Sequence, residues 1–353
     1  MPVLTRLIPS PVVVDIRGGA LADLSRLLAD ERISTSGKIA VAVSDGSGAR
    51  LRERLAPELP GADWFPVAAG TIDAAVKLAD AMRGQRYDAV VALGGGKIID
   101  AAKYAAARVG LPMVAVATNL SHDGICSPIS TLDNDNGRGS YGVPGPIAVV
   151  IDLDVIREAP SRYLRAGIGD AVSNLSALAD WELSHRETGE RIDGLAAAMA
   201  RGAGEAVLRH PGTVADDDFL VILAEGLVLT GIAMSISGDS RPSSGACHEI
   251  SHAFDLLHPQ RAAAHGEQVG IGAAFAMHLR GAREESALIA DTLRRHGLPV
   301  LPEQIGFSAQ EFVEAVRYAP QTRPGRHTIL EHLDLSATEI RDAYADYAKT
   351  ISS

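Results

Sequence analysis

Cysteine is nearly absent: Cys126 and Cys247 are the only two in 353 residues, too few for a disulfide scaffold, and each reads as a small buried core thiol. The sequence shows no signal-peptide pattern and no apolar run of about 18 residues, so a cytoplasmic protein without an integral membrane segment is expected. Aromatic residues supply only 4% against a hydrophobic total of 46%. That describes a core of Ala, Val, Leu and Ile, as in buried parallel strands packed by helices, and excludes disorder. Positive charge is also short. With 33 Lys and Arg against 44 Asp and Glu, the formal charge of -11 excludes a general nucleic-acid or anionic-membrane binder, which needs a basic surface. A small anionic substrate needs only a few local donors and stays open. Internal repeats and low-complexity tracts are missing too.

What is present is an alternation. Val12 to Ile16, Lys38 to Ser44, Asp88 to Leu93, Met113 to Thr118 and Ile147 to Ile151 read as strands. Between them lie the helix-like stretches Leu21 to Ala29, Gly48 to Leu55, Ile72 to Met82 and Ile98 to Arg108. Beyond Asp152 the pattern turns helical, in Gly169 to Glu182, Gly194 to Leu208, Asp218 to Ile236 and Gly266 to Leu279. The length, at roughly 150 residues per domain, points to two domains enclosing a cleft. The fold class expected is α/β: a Rossmann-like nucleotide-binding domain with a mostly parallel sheet over residues 1–158, then an all-helical domain over 159–353. Pro144-Gly145-Pro146 is read as a turn, and Asp133 to Pro146 as a β-hairpin or mobile loop.

The run from Val90 to Asp100 passes from a buried strand through Gly94, Gly95 and Gly96 into a helix beginning near Lys97. Glycines admit a pyrophosphate close to the backbone, and the free N–H groups at the helix start favour its charge. The segment is neither GxGxxG nor a Walker sequence, and a tight strand-to-helix turn would use the same residues. Asp45 follows a strand, where a carboxylate accepts from ribose hydroxyls and repels a 2′-phosphate; this leans toward NAD over NADP, although an Asp-Gly turn looks identical. After the strand ending at Thr118 comes a polar cluster, Asn119, Ser121, Asp123 and Ser127, at the strand end where ligands bind in open α/β sheets. These residues with Lys97 and Asp100 form the expected nicotinamide-dinucleotide site.

His248 and His252, four apart, share one helix face, and His265 begins another helix. Two imidazoles and a carboxylate suit a divalent transition metal with an open position, with zinc, Fe(II) and Ni(II) equally served. Asp170, in Gly167-Ile168-Gly169-Asp170, is the chosen carboxylate, expected at a helix start facing the cleft, with Asp255, Glu249 and Glu267 as competitors. Spacing decides neither between His248 and His252 nor against histidines that bind no metal.

Taken in order, Gly94 to Tyr104, Ser121-His122-Asp123-Gly124, Gly167 to Asp170, Asp180-Trp181, Ser240-Arg241-Pro242, Ser251-His252 and His265 to Gly270 resemble the glycerol-1-phosphate dehydrogenase family of the iron-containing alcohol dehydrogenase and dehydroquinate synthase-like superfamily. The resemblance covers nearly the whole chain. It implies an NAD or NADP enzyme reducing dihydroxyacetone phosphate to sn-glycerol 1-phosphate with one metal, usually zinc. Matched residue by residue, it implies Asp170, His248 and His265 as ligands and His252 beside the substrate. His252, with an imidazole titrating near neutrality, is then the expected proton relay, and Asp123 is expected to orient substrate or nicotinamide ribose. Arg241, Lys97 and Arg138 are the candidates for a substrate phosphate, and a homo-oligomer is compatible with this reading. Two departures bear on the substrate: Cys247 stands where the family commonly has Glu, and Asp133 to Ser140 has no match, so both are expected to line or cover the pocket. A dehydrogenase for another polyol, cyclitol or phosphorylated ketone is the alternative. A sugar-phosphate cyclase is disfavoured by Asp170, where such enzymes carry Glu, and a silent NAD-binding protein by the intact ligand set.

Overall fold

The computed structural model describes residues 11–44, 46–135, 137–261 and 263–352. Six strands, β1 (Val13–Arg17), β2 (Ile39–Val43), β3 (Ala62–Pro66), β4 (Ala89–Gly94), β5 (Met113–Ala117) and β8 (Ala148–Asp152), form one sheet in the order β1-β8-β5-β4-β2-β3. Every neighbouring pair is parallel. The remaining strands, β6 (Ile129–Asn134) and β7 (Gly137–Gly142), form the antiparallel hairpin expected in this region. Helices α1 (Leu24–Leu28), α2 (Ser47–Leu55), α3 (Ile72–Met82) and α4 (Gly96–Val109) connect the sheet strands. The runs Ile-Ala-Val-Ala-Val of β2 and Ala-Val-Val-Ala-Leu of β4 are buried throughout because successive side chains face helices on opposite sides. Val41, Val43, Val91 and Leu93 pack with Leu24, Leu28, Leu51 and Leu55. Ala40, Ala42, Val90 and Ala92 pack on the other face with Leu78, Ile99 and Ala102. Of the sheet strands, only β3 escapes sequence reading. It is a half-buried edge strand, Ala-Asp-Trp-Phe-Pro, without an apolar run and ending in proline.

From β2 the chain steps to β3 on one side and then crosses to β4 on the other. The sheet therefore divides at the carboxyl ends of β2 and β4, opening the crevice where open α/β sheets take their ligands. Gly94-Gly95-Gly96 lies at this opening.

After β8 all described elements are helical: α5 (Leu153–Glu158), α6 (Ser161–Thr188), α7 (Gly194–Arg209), α8 (Asp217–Ser237), α9 (Ala246–Leu257), α10 (His265–Leu279), α11 (Arg283–Arg295), α12 (Ala309–Tyr318), α13 (Ile329–Leu333) and α14 (Ala337–Ser352). Among the described residues α8 is long and apolar enough to cross a membrane by length and composition. Its Phe219, Leu220, Leu223, Ala224 and Leu227 are instead completely buried in the shared core.

The 28-residue α6 begins eight residues before Gly169. Asp170 therefore stands in its third turn rather than at a helix start, which corrects the expected role of the neighbouring glycines. They permit backbone contact. A methyl carbon added at Gly169 would stand 2.0 Å from the Gly266 carbonyl oxygen of α10, and one at Gly266 only 1.7 Å from that of Ala166. At Gly167 it would meet the Leu120 carbonyl oxygen, in the loop after β5, at 1.9 Å. A second fastening comes from Asp180 of α6, wholly buried. It accepts the Ala246 N–H starting α9 at 2.8 Å and the Ile329 N–H starting α13 at 2.7 Å, and pairs with Arg280 at the end of α10.

Overpacking at a backbone crossing cannot be relieved by rotating a side chain. Gly266→Ala is expected to cost about 3 kcal/mol or more of unfolding free energy. Gly202→Ala, in α7 with nothing near its added methyl, is expected to stabilise by roughly 0.5–1 kcal/mol. Urea denaturation of both variants checks the opposite signs.

Candidate active site

Three helices converge where α6 and α10 touch. Asp170 comes from α6, His248 from the first turn of α9 and His265 from the start of α10. Their ligand atoms all lie within 4.8 Å of one another. Asp170 Oδ1 is 3.6 Å from His265 Nε2 and 3.9 Å from His248 Nε2, too far for hydrogen bonds. A chain of partners sets the His265 tautomer. The Ser251 hydroxyl donates to Gln268 Oε1 at 2.6 Å and so accepts from His265 Nδ1 at 3.3 Å, leaving a lone pair on Nε2. Gln268 Nε2 in turn donates to Asp255 at 3.2 Å.

The charges are unbalanced. Burial, and then the neighbouring Asp123 carboxylate, pushes Asp170 well above the usual carboxylate range. Burial also raises Asp123. The Asp123 N–H donates to Asp170 Oδ2 at 2.7 Å. Burial holds His248 well below neutrality and pushes His265 down to about 3, so both imidazoles are neutral. The buried Asp170 and half-buried Asp123 carboxylates with two neutral imidazoles fit a divalent cation by charge and donor type, since the buried Lys103 nearby is already paired with Asp100 and donates to loop carbonyls. The competing carboxylates are engaged elsewhere. Asp255 pairs with Arg138 at 2.9 Å, Glu267 with Arg162 at 2.8 Å, and Glu249 accepts from Thr328 at 3.0 Å. His252 lies in the cleft wall, its ring centre 6.4 Å from that of His248.

Toward the sheet, the glycine loop is shaped by protein as well as by any ligand. A methyl carbon at Gly95 would meet the Asn119 amide nitrogen at 2.4 Å, and one at Gly96 would meet His122 Nε2 at 2.1 Å. His122 Nδ1 accepts the Gly124 N–H at 2.9 Å, so its Nε2 carries the hydrogen against that loop. Lys97 is exposed and Ser121 half-buried at this opening. Asp100, Thr118 and Ser127 are buried. Asp100 pairs with Lys103 at 3.0 Å, and Lys103 Nζ donates to the carbonyls of Gly124, Ser127 and Ile129. The Ser127 hydroxyl donates inward to the Ile129 carbonyl. Asp100 and Ser127 thus hold the loop bearing Asp123 from beneath. Asp45 lies outside the described residues.

A cleft of about 900 Å³ runs from His252 between the hairpin and α9. Thr131, Arg138, Ser140 and Tyr141 line it from the hairpin, as expected for that segment. Cys247 does not. It is sealed behind His248, with its thiol 3.4 Å from His248 Nδ1 and pushed up to about 12 by burial. Arg241 is likewise turned away, paired with Glu190 and donating to the His327 carbonyl at 3.0 Å. Sequence reading missed Arg323 and Arg326 in the opposite wall. Their one visible signal was two arginines flanking Pro324-Gly325.

Residues 13–160 match the family model of iron-containing alcohol dehydrogenases. The glycerol-1-phosphate dehydrogenase [NAD(P)+] of Hyperthermus butylicus is 35% identical over 328 residues, covering 92% of each chain. That of Methanothermobacter thermautotrophicus is 34% identical over 319 residues, 88% of this chain and 90% of the relative. Among solved structures, a probable glycerol dehydrogenase from Sinorhizobium meliloti shares the fold with a TM-score of 0.77 at 22% identity, covering 99% of each chain.

A divalent cation held here needs Asp170 ionised, and burial raises that carboxyl, so filling the site is expected to release up to one proton at a pH where the empty site keeps Asp170 protonated. Affinity for a divalent cation such as zinc should then rise with pH until Asp170 is ionised in the empty site. Calorimetric titrations in buffers of differing ionisation enthalpy measure the proton count, which Asp170→Asn should bring close to zero.

Proposed function

The chain belongs to the glycerol-1-phosphate dehydrogenase family, and we propose that it reduces dihydroxyacetone phosphate to sn-glycerol 1-phosphate with NADH or NADPH. It is a metal-dependent NAD(P) oxidoreductase. The observation carrying the finer reading is the convergence of Asp170, His248 and His265 beside the crevice at the strand ends. Residues 1–158 are taken as the nucleotide-binding domain and 159–353 as the metal- and substrate-binding domain. A cytoplasmic setting is consistent with two unpaired thiols.

The bound groups supply Lewis acidity at the substrate carbonyl and a hydride from the nicotinamide, with zinc the first choice of metal and Fe(II) or Ni(II) the others. The protein supplies position and a proton. Gly94, Gly95 and Gly96 with the first amides of α4 receive the pyrophosphate, and Lys97, Asn119 and Ser121 stand beside it. The Asp123 carboxylate accepts from a hydroxyl of the substrate or nicotinamide ribose. His252 serves the proton that the carbonyl oxygen gains as it becomes a hydroxyl. Burial, then Arg323 and His265, hold His252 well below its usual value, so it acts as a neutral relay through its ring N–H rather than as a standing imidazolium. The hairpin wall limits water at the reacting carbon.

The assay is NADH or NADPH consumption with dihydroxyacetone phosphate, alongside metal analysis. One nucleotide oxidised per glycerol 1-phosphate formed is expected; phosphate release without net nucleotide consumption would mean a cyclase instead. His248→Ala or His265→Ala should lower metal content and turnover together. His252→Ala should keep the metal and slow turnover by about 10²–10⁴-fold. Metal loss in His252→Ala with retention in His248→Ala would reverse these two assignments.

A further inference from the structure

Several arginines around the helical half are matched by carboxylates: Arg241 by Glu190, Arg280 by Asp180, Arg138 by Asp133 and Asp255, and Arg162 by Glu267. Arg323 and Arg326 depart from this. Among the described residues neither has a carboxylate oxygen within 4.0 Å, and both line the cleft that holds His252. Arg323 Nη1 donates to the Ser240 hydroxyl at 2.8 Å, and Arg326 Nη2 donates to the same hydroxyl at 3.1 Å. Arg326 also donates to the Ser244 carbonyl. One neutral oxygen thus gathers two guanidinium groups.

The chain between them is built for this approach. Pro324 restricts its own φ, and Gly325 adopts φ +86, so a tight turn brings the two arginines to one acceptor. The ends of the segment are held. Arg241 donates to the His327 carbonyl, and the Ile329 N–H is taken by Asp180. Arg241, expected from sequence to meet the phosphate itself, is therefore a positioning residue for the segment that carries these two cations.

Two neighbouring guanidinium groups, removed in part from water, repel each other; the Ser240 hydroxyl carries no charge, and the carboxylates that favour them, Glu249 for both with Asp239 and Glu190 for Arg326, act from beyond 4.0 Å. A dianion in direct contact offsets more of that charge. Guanidinium forks match a phosphoryl group's geometry, each supplying two parallel N–H donors. We propose that Arg323 and Arg326 are the receptor for the substrate's phosphoryl group, with Ser240 holding both side chains in register. The proposal rests on the reading of a phosphorylated ketone as substrate. It orients that substrate, with its carbonyl toward Asp170, His248 and His265 and its anionic end at the far wall beyond His252.

Two measurements separate this inference from the reading beneath it. In the wild-type enzyme and in Arg323→Ala and Arg326→Ala, the ratio of kcat/KM for dihydroxyacetone phosphate to that for dihydroxyacetone is determined. Inorganic phosphate binding is followed in parallel by calorimetry, with metal content as a control on the site. Each variant is expected to lose roughly 10- to 100-fold in that ratio while retaining its metal, and to lose phosphate binding. Arg323→Gln, which still donates to Ser240, should lose the same preference and guards against a folding defect. If the wild type reduces the phosphorylated ketone and the variants keep its preference, the receptor lies elsewhere and this proposal falls. If the wild type binds inorganic phosphate through these arginines but reduces no triose substrate, the anion receptor stands and the proposed reaction falls. If the wild type does neither, both fall.

Discussion

Everything at the candidate site hangs on one backbone contact. Helices rarely approach closely enough for a carbonyl oxygen to occupy the place of a methyl group, because side chains usually keep their axes 8–10 Å apart. Here α6 meets α10 at Gly169 and Gly266, and meets the loop after β5 at Gly167. The residues next to these contacts are those of the candidate site. Asp170 follows Gly169, His265 precedes Gly266, and Asn119, His122 and Asp123 flank Leu120. Closeness of the backbones lets short side chains from distant parts of the chain meet with little freedom left, so the arrangement costs little ordering entropy when occupied.

Charge is sorted along the cleft. At the α6–α10 crossing the protein concentrates acidic groups and uncharged lone pairs, with Asp170 and Asp123 raised by burial and His248 and His265 kept neutral. Beyond His252 the sign changes, and burial lowers Arg323 to about 10, with Arg326 lowered too. A molecule with an electron-poor carbonyl end and an anionic end fits this gradient in one orientation. The net charge of -11 conceals the distinction, since both regions are too small to register in a total.

Much of the fold was legible because a parallel sheet covered on both faces writes its strands as uninterrupted apolar runs, and β2, β4, β5 and β8 do so. The edge strand β3 is only half-buried and has no such run, so it left no trace. The metal-site candidates were legible as residues but not as geometry. Asp170 was selected on the supposition that its glycines open a helix, whereas they sit inside one. Four-residue spacing places His248 and His252 on one face but cannot say which imidazole is nearer α6. Arginine was the least readable. Arg241, Arg323 and Arg326 look alike in sequence, and they differ only in whether a carboxylate from elsewhere in the chain, Glu190 in the first case, reaches them. Asp100 and Ser127 show the converse: both lie within the cofactor motifs, yet their side chains turn inward to support a loop.

Asp180 stands some distance from any reacting atom, yet its two oxygens tie the start of α9, which carries His248, to the start of α13, which follows Arg326. Both ends of the cleft are thereby hung from one peg on the same helix that carries Asp170. With an anionic end seated on Arg323 and Arg326 as proposed, a cleft built so would act as a calliper: its jaws keep a set gap, and a molecule would be judged by how far its carbonyl lies from its anionic group before its other chemistry is felt. On that proposal, a substrate one carbon longer or shorter would meet a span fixed at both ends by Asp180.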